Sequence, residues 1–532
     1  MINLKNIDER MQKLVKRQEK IKSILNGLGV ETDQQKECLQ KKFYLEKNSL
    51  KELKIACVMD RFTLDSYQPE CCLLEVTPEN WESEITSFKP DLLFIESAWQ
   101  GKNGLWYKKI ANGSKEFFEM ASFCQESDIP IIFWNKEDPI YTDVFMPIAR
   151  MADVVFTTDI DCISKYKQIL HHDQVYHLHF AAQPLLHNPI EKYTRKNKFC
   201  FAGAYYHRYP KRAEVFDKFS KVFLEREGLD IYDRNYQNAL PEHAFPEFYN
   251  PYILGKLDPN EIDIAYKGYY YGINMNSVSQ SQSMFARRVF EMLASNTITV
   301  GNYSRGVKNY FGDLTICTDD DQELLRLLTK FCSDETDLRK YRLSGLRKVL
   351  SEHLYEDRLD YIVQKVFGKS IKQKLPPIVV ITDAKDEALN RIVQMFSAQT
   401  YSDKILYVIG TSGESLTGVK FLSCEEAKSL PLDQLCDKDA FITYFHPDDY
   451  YGKNYLTDLV YTLRYHKSIG IGKSCYYYKC SDAFKKTSGL VYQNVSKLAI
   501  RRSIFKISFE YFNNIFVPDF ISMEEIEAPE LF

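Results

Sequence analysis

Hydrophobic residues recur near the start of the chain at alternating spacings of three and four. Leu4, Ile7, Met11, Leu14, Gln18, Ile21, Leu25 and Leu28 thereby fall on one seam of a helix. The seam predicts a coiled coil in which Gln18 is the polar member, of the kind that fixes register at some cost in stability. Gly27 and Gly29 end the run, and Thr32 with Gln35 forms a capping box for a second helix reaching about Leu53. Residues 1–53 are therefore expected to form a helical coiled coil, which would make the protein a homo-oligomer, or a helical hairpin folded onto the body.

From Lys54 the period changes. Short apolar runs at 55–59, 92–95, 129–134 and 154–157 alternate with helical stretches, the pattern of a parallel sheet covered on both faces. Residues 54–190 are expected to form a first Rossmann-like domain. In such sheets ligands meet the carboxyl ends of the strands, here Glu96, Ser97 and Trp99, and Asn135, Lys136, Glu137 and Asp138. A second such domain is expected over 191–368, with strands at 199–203, 229–232, 272–275, 297–300 and 314–317 and helices at 323–331 and 354–367 closing it. A basic, proline-ended linker, 369–377, leads to a third α/β domain over 378–532.

Composition narrows the picture. At 532 residues the chain exceeds one core. A net charge of −4, from 69 basic and 73 acidic residues, lacks the excess expected of a nucleic-acid binder. Without an apolar leader or a run of 18 apolar residues, the protein is expected to be soluble and cytoplasmic. Its 13 cysteines show no framework and read as reduced thiols. The stretch Gly470-Ile-Gly-Lys-Ser474 is not a phosphate loop, because Lys467 stands where the leading glycine belongs.

The densest candidate chemistry lies between Ser283 and Val300. Arg288 and Glu291, three apart, share a helix face. A carboxylate there can accept both ribose hydroxyls of a nucleotide, and a guanidinium can hold diphosphate oxygens in a fork. On spacing alone, an exposed helical ion pair is the simpler reading. The segment Arg288-Val-Phe-Glu-Met-Leu-Ala294, followed by a buried strand, resembles the donor-site motif of the CgeB-like, group-1 glycosyltransferases of GT-B fold. Phe201-Ala-Gly-Ala-Tyr-Tyr-His-Arg-Tyr-Pro-Lys-Arg212 resembles that family's glycine-containing strand-to-helix loop, and Asn302-Tyr-Ser-Arg-Gly-Val307 its later loop. The resemblance spans roughly residues 55–365.

The resemblance implies two Rossmann-like domains around a cleft, a nucleoside diphosphate sugar of UDP or GDP type in the second, and no metal at that site. Glu291 and Arg288 would hold the nucleotide, with Gly203 letting the backbone approach. Arg208 and Arg212, Ser304 and Arg305 would surround the diphosphate or sugar. Many family members carry another Glu eight residues before the ribose-binding one; here it is Ser283, so any contact to the transferred sugar falls to Asn274, Asn276 or Gln282. The first domain would hold the acceptor, with Asp138, Glu137 and Glu96 as candidate bases and Trp99 and Trp106 as candidate sugar platforms. Asp138 as a helix cap and the two tryptophans as packing remain open on the sequence.

The last domain, with Ile381-Thr-Asp383 and Phe445-His-Pro-Asp-Asp-Tyr450, resembles family-two, GT-A-type glycosyltransferases. That resemblance implies Mg²⁺ or Mn²⁺ on Asp448 and Asp449 if the domain is active, although His446 stands where an extra acid is common. The expected function is transfer of a sugar to a hydroxyl of a glycan, a lipid-linked glycan or a cell-surface polymer, with peripheral membrane contact only through a lipid-linked acceptor. A bifunctional transferase, a nucleotide-sugar epimerase and a non-catalytic glycan-binding or scaffolding subunit are the alternatives.

Overall fold

The computed structural model describes residues 42–238, 240–413, 417–429, 440–467, 470–472, 476–480, 483–487 and 503–506. The seam from Leu4 to Leu28 lies outside them. The chain divides into two compact units, Met1–Tyr44 and Leu45–Phe532, and every strand named below belongs to the second. The helix expected to reach Leu53 does not: residues 45–49 alternate in exposure without helical structure, and only a short 3-10 turn, Leu50–Glu52, precedes the first strand.

The apolar runs form strands as their composition dictates. β1 (Lys54–Val58), β2 (Cys72–Glu75), β3 (Leu92–Glu96), β4 (Ile131–Asn135), β5 (Val154–Thr157) and β6 (Val175–His177) make one parallel sheet in the order β2-β1-β3-β4-β5-β6. β3 and β4 are buried at every position. Ile95, Phe133, Phe117 and Phe145 share one of the cores, each such side chain contributing roughly 1.5–3 kcal/mol by leaving water. β7 (Lys196–Gly203), β8 (Leu229–Asp233), β9 (Ile253–Gly255), β10 (Tyr269–Asn274), β11 (Ile298–Gly301) and β12 (Ile316–Cys317) make a second, also parallel, in the order β12-β11-β10-β7-β8-β9.

Each order reverses once, between β1 and β3 and between β7 and β10. At such switch points neighbouring loops leave in opposite directions and open a crevice.

Four helices between and after these strands position the site: α1 (Arg61–Tyr67), α2 (Pro210–Arg226), α3 (Arg288–Ala294) and α4 (Arg305–Phe311). After them come α5 (Glu335–Glu352) and α6 (Tyr355–Phe367). The sequence suggests that α6 closes the second domain, but it crosses back to the first. Leu354 pairs with Ala182, Arg358 donates to the carbonyls of His179 and Phe180 at 3.1 Å each, and the Tyr355 ring meets Tyr67 of α1 at 4.9 Å. Tyr355, Leu359, Ile362 and Val363 are buried, so α6 follows the apolar surface on offer and not the order of the chain.

The third sheet contains β13 (Ile378–Thr382), β14 (Lys404–Ile409), β15 (Val419–Leu422), β16 (Phe441–Tyr444) and β17 (Gly470–Gly472). A hairpin of β18 (Tyr476–Cys480) and β19 (Ala483–Thr487) precedes its last strand, β20 (Ser503–Lys506). The order is β15-β14-β13-β16-β20-β17, parallel except for β20. The linker is pinned: Asp360 of α6 accepts from the backbone of Ile371 and Lys372 at 2.9 and 3.0 Å. Helix α7 (Tyr455–Tyr461) docks on α5 through a two-bond ion pair, Arg347 to Asp458 at 2.7 Å each. Among the described residues no helix is long and apolar enough to cross a membrane.

Candidate active site

At the first switch point, Asp60 follows β1 and Glu96 ends β3. Lys136, just past β4, joins them: its ammonium sits 2.7 Å from Asp60 and also pairs with Glu96. The Asp60 carboxylate accepts three backbone N–H groups as well, from Trp99, Gln100 and Gly101 at 2.9–3.1 Å. Burial alone would raise its pKa, but Lys136 and these donors hold it below the usual value. Glu96 is fully buried, and burial pushes it up to about 7 against the pull of Lys136.

Glu96, expected as a base, is thus sealed beneath Lys136 with no path to an acceptor. Asp138, also expected as a base, is closed off for a related reason. It is fully buried and accepts from Asn135, Thr142, Thr157 and Tyr166 at 2.9, 2.6, 2.5 and 3.3 Å. Three of those donors crowd Oδ1 and Thr157 holds Oδ2, so the buried carboxylate ties the ends of β4 and β5 together. Burial raises it to about 6. Trp106 is likewise no platform: its indole is buried and donates to Val76 O at 2.8 Å. Glu137 stays half-buried beside Trp99, its pKa raised by burial. Trp99 is partly exposed, its ring against Tyr141 and Phe145 at 5.2 and 5.3 Å.

At the second switch point Arg212 straddles the crevice. Its Nε donates to Met275 O beyond β10 at 3.3 Å, and its Nη atoms donate to Ala204 O beyond β7 at 3.4 Å. Arg288 donates to Ala202 O at 2.9 Å. A Cβ on Gly203 would lie 3.3 Å from that guanidinium, so a larger residue would crowd it. Burial and the neighbouring Arg288 charge lower Arg212 to about 10. Among the described residues neither Arg212 nor Arg288 has a carboxylate within ion-pair distance. Two cations whose hydrogen bonds go only to carbonyls, with Arg212 also over the Tyr206 ring at 4.9 Å, are suited to hold an anion.

Glu291 does not pair with Arg288 as its spacing suggests. Its carboxylate lies 3.0 Å from Arg287 and 3.7 Å from His187, and accepts from Tyr266 Oη at 2.9 Å. Burial would raise it, but Arg287 holds it below the ordinary value, so it stays ionised. The Arg287 guanidinium rests 4.1 Å from the Phe62 ring centroid, and Lys136 lies 4.3 Å from the same centroid. Phe62 thereby joins the charged groups of the two switch points. Sequence reasoning missed Phe62, Asp60, Arg287, Tyr266 and His187. A lone acid after a strand, as Asp60 is, was the legible signal.

The remaining expected contacts divide. Arg208 is exposed, lying over Tyr206 and Tyr209 at 5.3 and 5.0 Å. Arg305 is exposed at the start of α4. Ser304, expected at the diphosphate or sugar, is instead buried, and its hydroxyl caps that helix by accepting from Val307 N. Asn276 exchanges hydrogen bonds with Asn302 at 2.7 and 3.0 Å and organises the loop after β10. That loop fastens the domains together: Ser281 donates to Asp159 at 2.7 Å, and Ser283 donates to Thr158 O at 3.0 Å and accepts from Ile160 N at 2.8 Å.

In the third sheet, Tyr444 at the end of β16 donates to Asp383 beyond β13. Asp448 is exposed, 3.7 Å from His446, and Asp449 accepts weakly from Tyr451 at 3.5 Å. Among the described residues no three His, Cys, Asp or Glu side chains are arranged to hold a metal ion.

Residues 192–364 match the family model described as "Glycosyl transferase-like". The spore protein CgeB of Bacillus subtilis (strain 168) is 21% identical over 197 residues, which are 34% of this chain and 59% of that protein. The chain therefore spans less than two thirds of this relative's length. Among solved structures, sucrose-phosphate synthase from Thermosynechococcus elongatus is similar with a TM-score of 0.38 at 12% identity, over 57% of this chain and 79% of that one. A glycosyltransferase from Rickettsia africae ESF-5 is similar at 0.38 and 10%, over 60% and 100%.

Proposed function

We propose that the chain transfers a sugar from a nucleoside diphosphate sugar to a hydroxyl of a glycan, lipid-linked glycan or cell-surface polymer. The observation that carries this reading is Arg212, bridging both lips of the β7–β10 crevice with Arg288 beside it and, among the described residues, no carboxylate within ion-pair distance of either. Departure of a nucleoside diphosphate develops negative charge on phosphate oxygens, and fixed cations already desolvated at that position stabilise it without reorganising. The match of residues 192–364 to a glycosyltransferase-like family supports the same reading.

In this reading Glu291 accepts the ribose hydroxyls. Its ionised carboxylate offers about four lone-pair directions, of which Arg287 and Tyr266 use two directly. The acceptor enters past Phe62 toward Glu137, the carboxylate at the first switch point that burial raises but does not seal. Asp60 and Lys136 shape that wall. The test is release of nucleoside diphosphate from a panel of UDP- and GDP-sugars, with and without glycan acceptors. Glu291→Ala should lose the activity while remaining folded; an equally active Glu291→Ala would remove the reading.

The Asp383–Tyr444 contact favours a second reading, in which the third sheet carries another transferase site. It brings the carboxyl ends of β13 and β16 together beside Asp448 and Asp449. Mg²⁺ is commonly held by one or two carboxylates plus substrate phosphates, so the pair suffices in number to hold Mg²⁺ or Mn²⁺ with a donor. Changing both to Asn would abolish one of two linkages here, and none if the third sheet only docks partners or acceptors.

A further inference from the structure

Asn274 at the end of β10 and Asn276, Gln282 and Ser283 in the loop after it are the four side chains considered for a sugar at the second switch point, and the three in the loop are committed. Ser283 both donates and accepts across the domain seam. Gln282 donates to Asp161 at 2.5 Å. The Asn276 oxygen accepts from Asn274 Nδ2 at 3.0 Å and from Ala286 N at 3.4 Å. The backbone donor identifies that atom as oxygen and thereby fixes the Asn274 amide, whose nitrogen must face it.

Asn274 Oδ1 is what remains. The residue is 2% exposed and its oxygen has no hydrogen-bond donor. A buried acceptor without a donor is a costly arrangement that native proteins rarely keep. Asn274 is the last residue of β10, at the switch point itself. It shares a sheet face with Gly272, where an added Cβ would strike Met292 of α3, so it lies on the face covered by the helix that carries Glu291. Arg212 donates to the next residue's carbonyl.

We propose that Asn274 Oδ1 accepts a hydroxyl of the transferred sugar and helps set which sugar the donor carries. The inference rests on the donor site proposed above. Glu291 supplies the acceptors for ribose on α3, and Arg212 and Arg288 take the diphosphate. Asn274 then gives the sugar its polar reading point. An acceptor that only a ligand hydroxyl satisfies discriminates sharply, because a sugar lacking that hydroxyl leaves it unpaired.

The test measures the sugar separately from the nucleotide. Wild-type protein is titrated calorimetrically with UDP and GDP, then with UDP-glucose, UDP-galactose, UDP-N-acetylglucosamine and GDP-mannose. The ratio of nucleotide-sugar to nucleotide affinity isolates the sugar. In Asn274→Leu the affinity for the nucleotide alone should stay within about twofold, while that ratio falls about tenfold. On the wild-type protein itself, one deoxyfluoro analogue of the preferred sugar should lose about tenfold, which keeps the inference testable if Asn274→Leu does not fold. An unchanged ratio in Asn274→Leu, equal weakening of nucleotide and nucleotide sugar, or a flat analogue series would overturn it. Failure of every nucleotide to bind wild-type protein would instead remove the donor-site reading, and this inference with it.

Discussion

Glu291 is paired with Arg287, four residues earlier and 3.0 Å away, while Arg288 turns its guanidinium to the Ala202 carbonyl at 2.9 Å. Neighbouring arginines on one helix thus have opposite duties. Arg287 holds a buried carboxylate ionised and rests against Phe62 of α1, and Arg288 lies beside Arg212 with no carboxylate within ion-pair distance among the described residues.

The division predicts different losses. Arg287→Ala leaves the buried Glu291 charge with a tyrosine and a neutral histidine, and should lower stability by about 1–2 kcal/mol; partial exposure of Arg287 keeps the loss below that of a sealed pair. Arg288→Ala should leave the melting temperature nearly unchanged and weaken nucleoside diphosphate binding about tenfold or more. Thermal melts and titrations of both variants check this. Equal effects on both readouts would contradict it.

Asp138 should behave as structure and not as a base. Asp138→Ala strands buried donors on Thr142, Thr157 and Tyr166 and should cost about 2–4 kcal/mol in chemical denaturation. The pH dependence of any turnover that survives should match wild type. A shifted profile with unchanged stability would reverse the assignment.

The seam between the first two domains should weaken in acid. His177, His179 and His353 gather there with Tyr310 and Phe290, near Arg358. Burial, and then neighbouring positive groups, keep all three neutral, His177 lowered to about 4 and His353 to about 3. Because an unfolded histidine titrates near 6.5, the unfolded state binds the extra protons. Stability is therefore complete above that pH and falls as pH drops toward 4, by about 1.4 kcal/mol per pH unit for each such histidine. Glu96 and Asp138, raised by burial, contribute with the opposite sign. The clean readout is thus the difference between wild type and His179→Phe, which should flatten the slope by about one proton between pH 6.5 and 5. Parallel curves would exclude the effect.

The docking of the third sheet should depend strongly on the Arg347–Asp458 ion pair, beside which Arg464 pairs with Glu356 at 3.1 Å. Asp458 is fully buried and Arg347 grips both its oxygens. Arg347→Ala should destabilise this docking by about 3 kcal/mol and expose the segment after Asp360 to limited proteolysis. A wild-type cleavage pattern would contradict that.

The central strands were legible because burial on both faces writes continuous apolar runs: β3, β4 and β10 stand out without the structure. β2, β6 and β9 were not, being three- or four-residue strands at or near sheet edges with half-exposed side chains. The helix α6 was legible as a helix, but nothing local says that its apolar face belongs to the first sheet. In the site, the motif pointed to Glu291 and the arginines, yet the i, i+3 spacing suggested the wrong partner where the i, i+4 pair formed. Asp60 acquires its role only through Lys136, 76 residues away, and Asp138 is excluded as a base only by donors from four elements. Such coincidences are tertiary, and no window along the chain contains them.

Calorimetric titration of UDP and GDP into the wild-type protein and Arg212→Gln tests the account most directly. One nucleotide should bind wild type at one site per chain, and the variant should bind it about ten- to a hundredfold more weakly at an unchanged melting temperature. Absence of binding to wild type, or equal affinity for both proteins, would contradict the assignment of the β7–β10 crevice as a nucleoside diphosphate site.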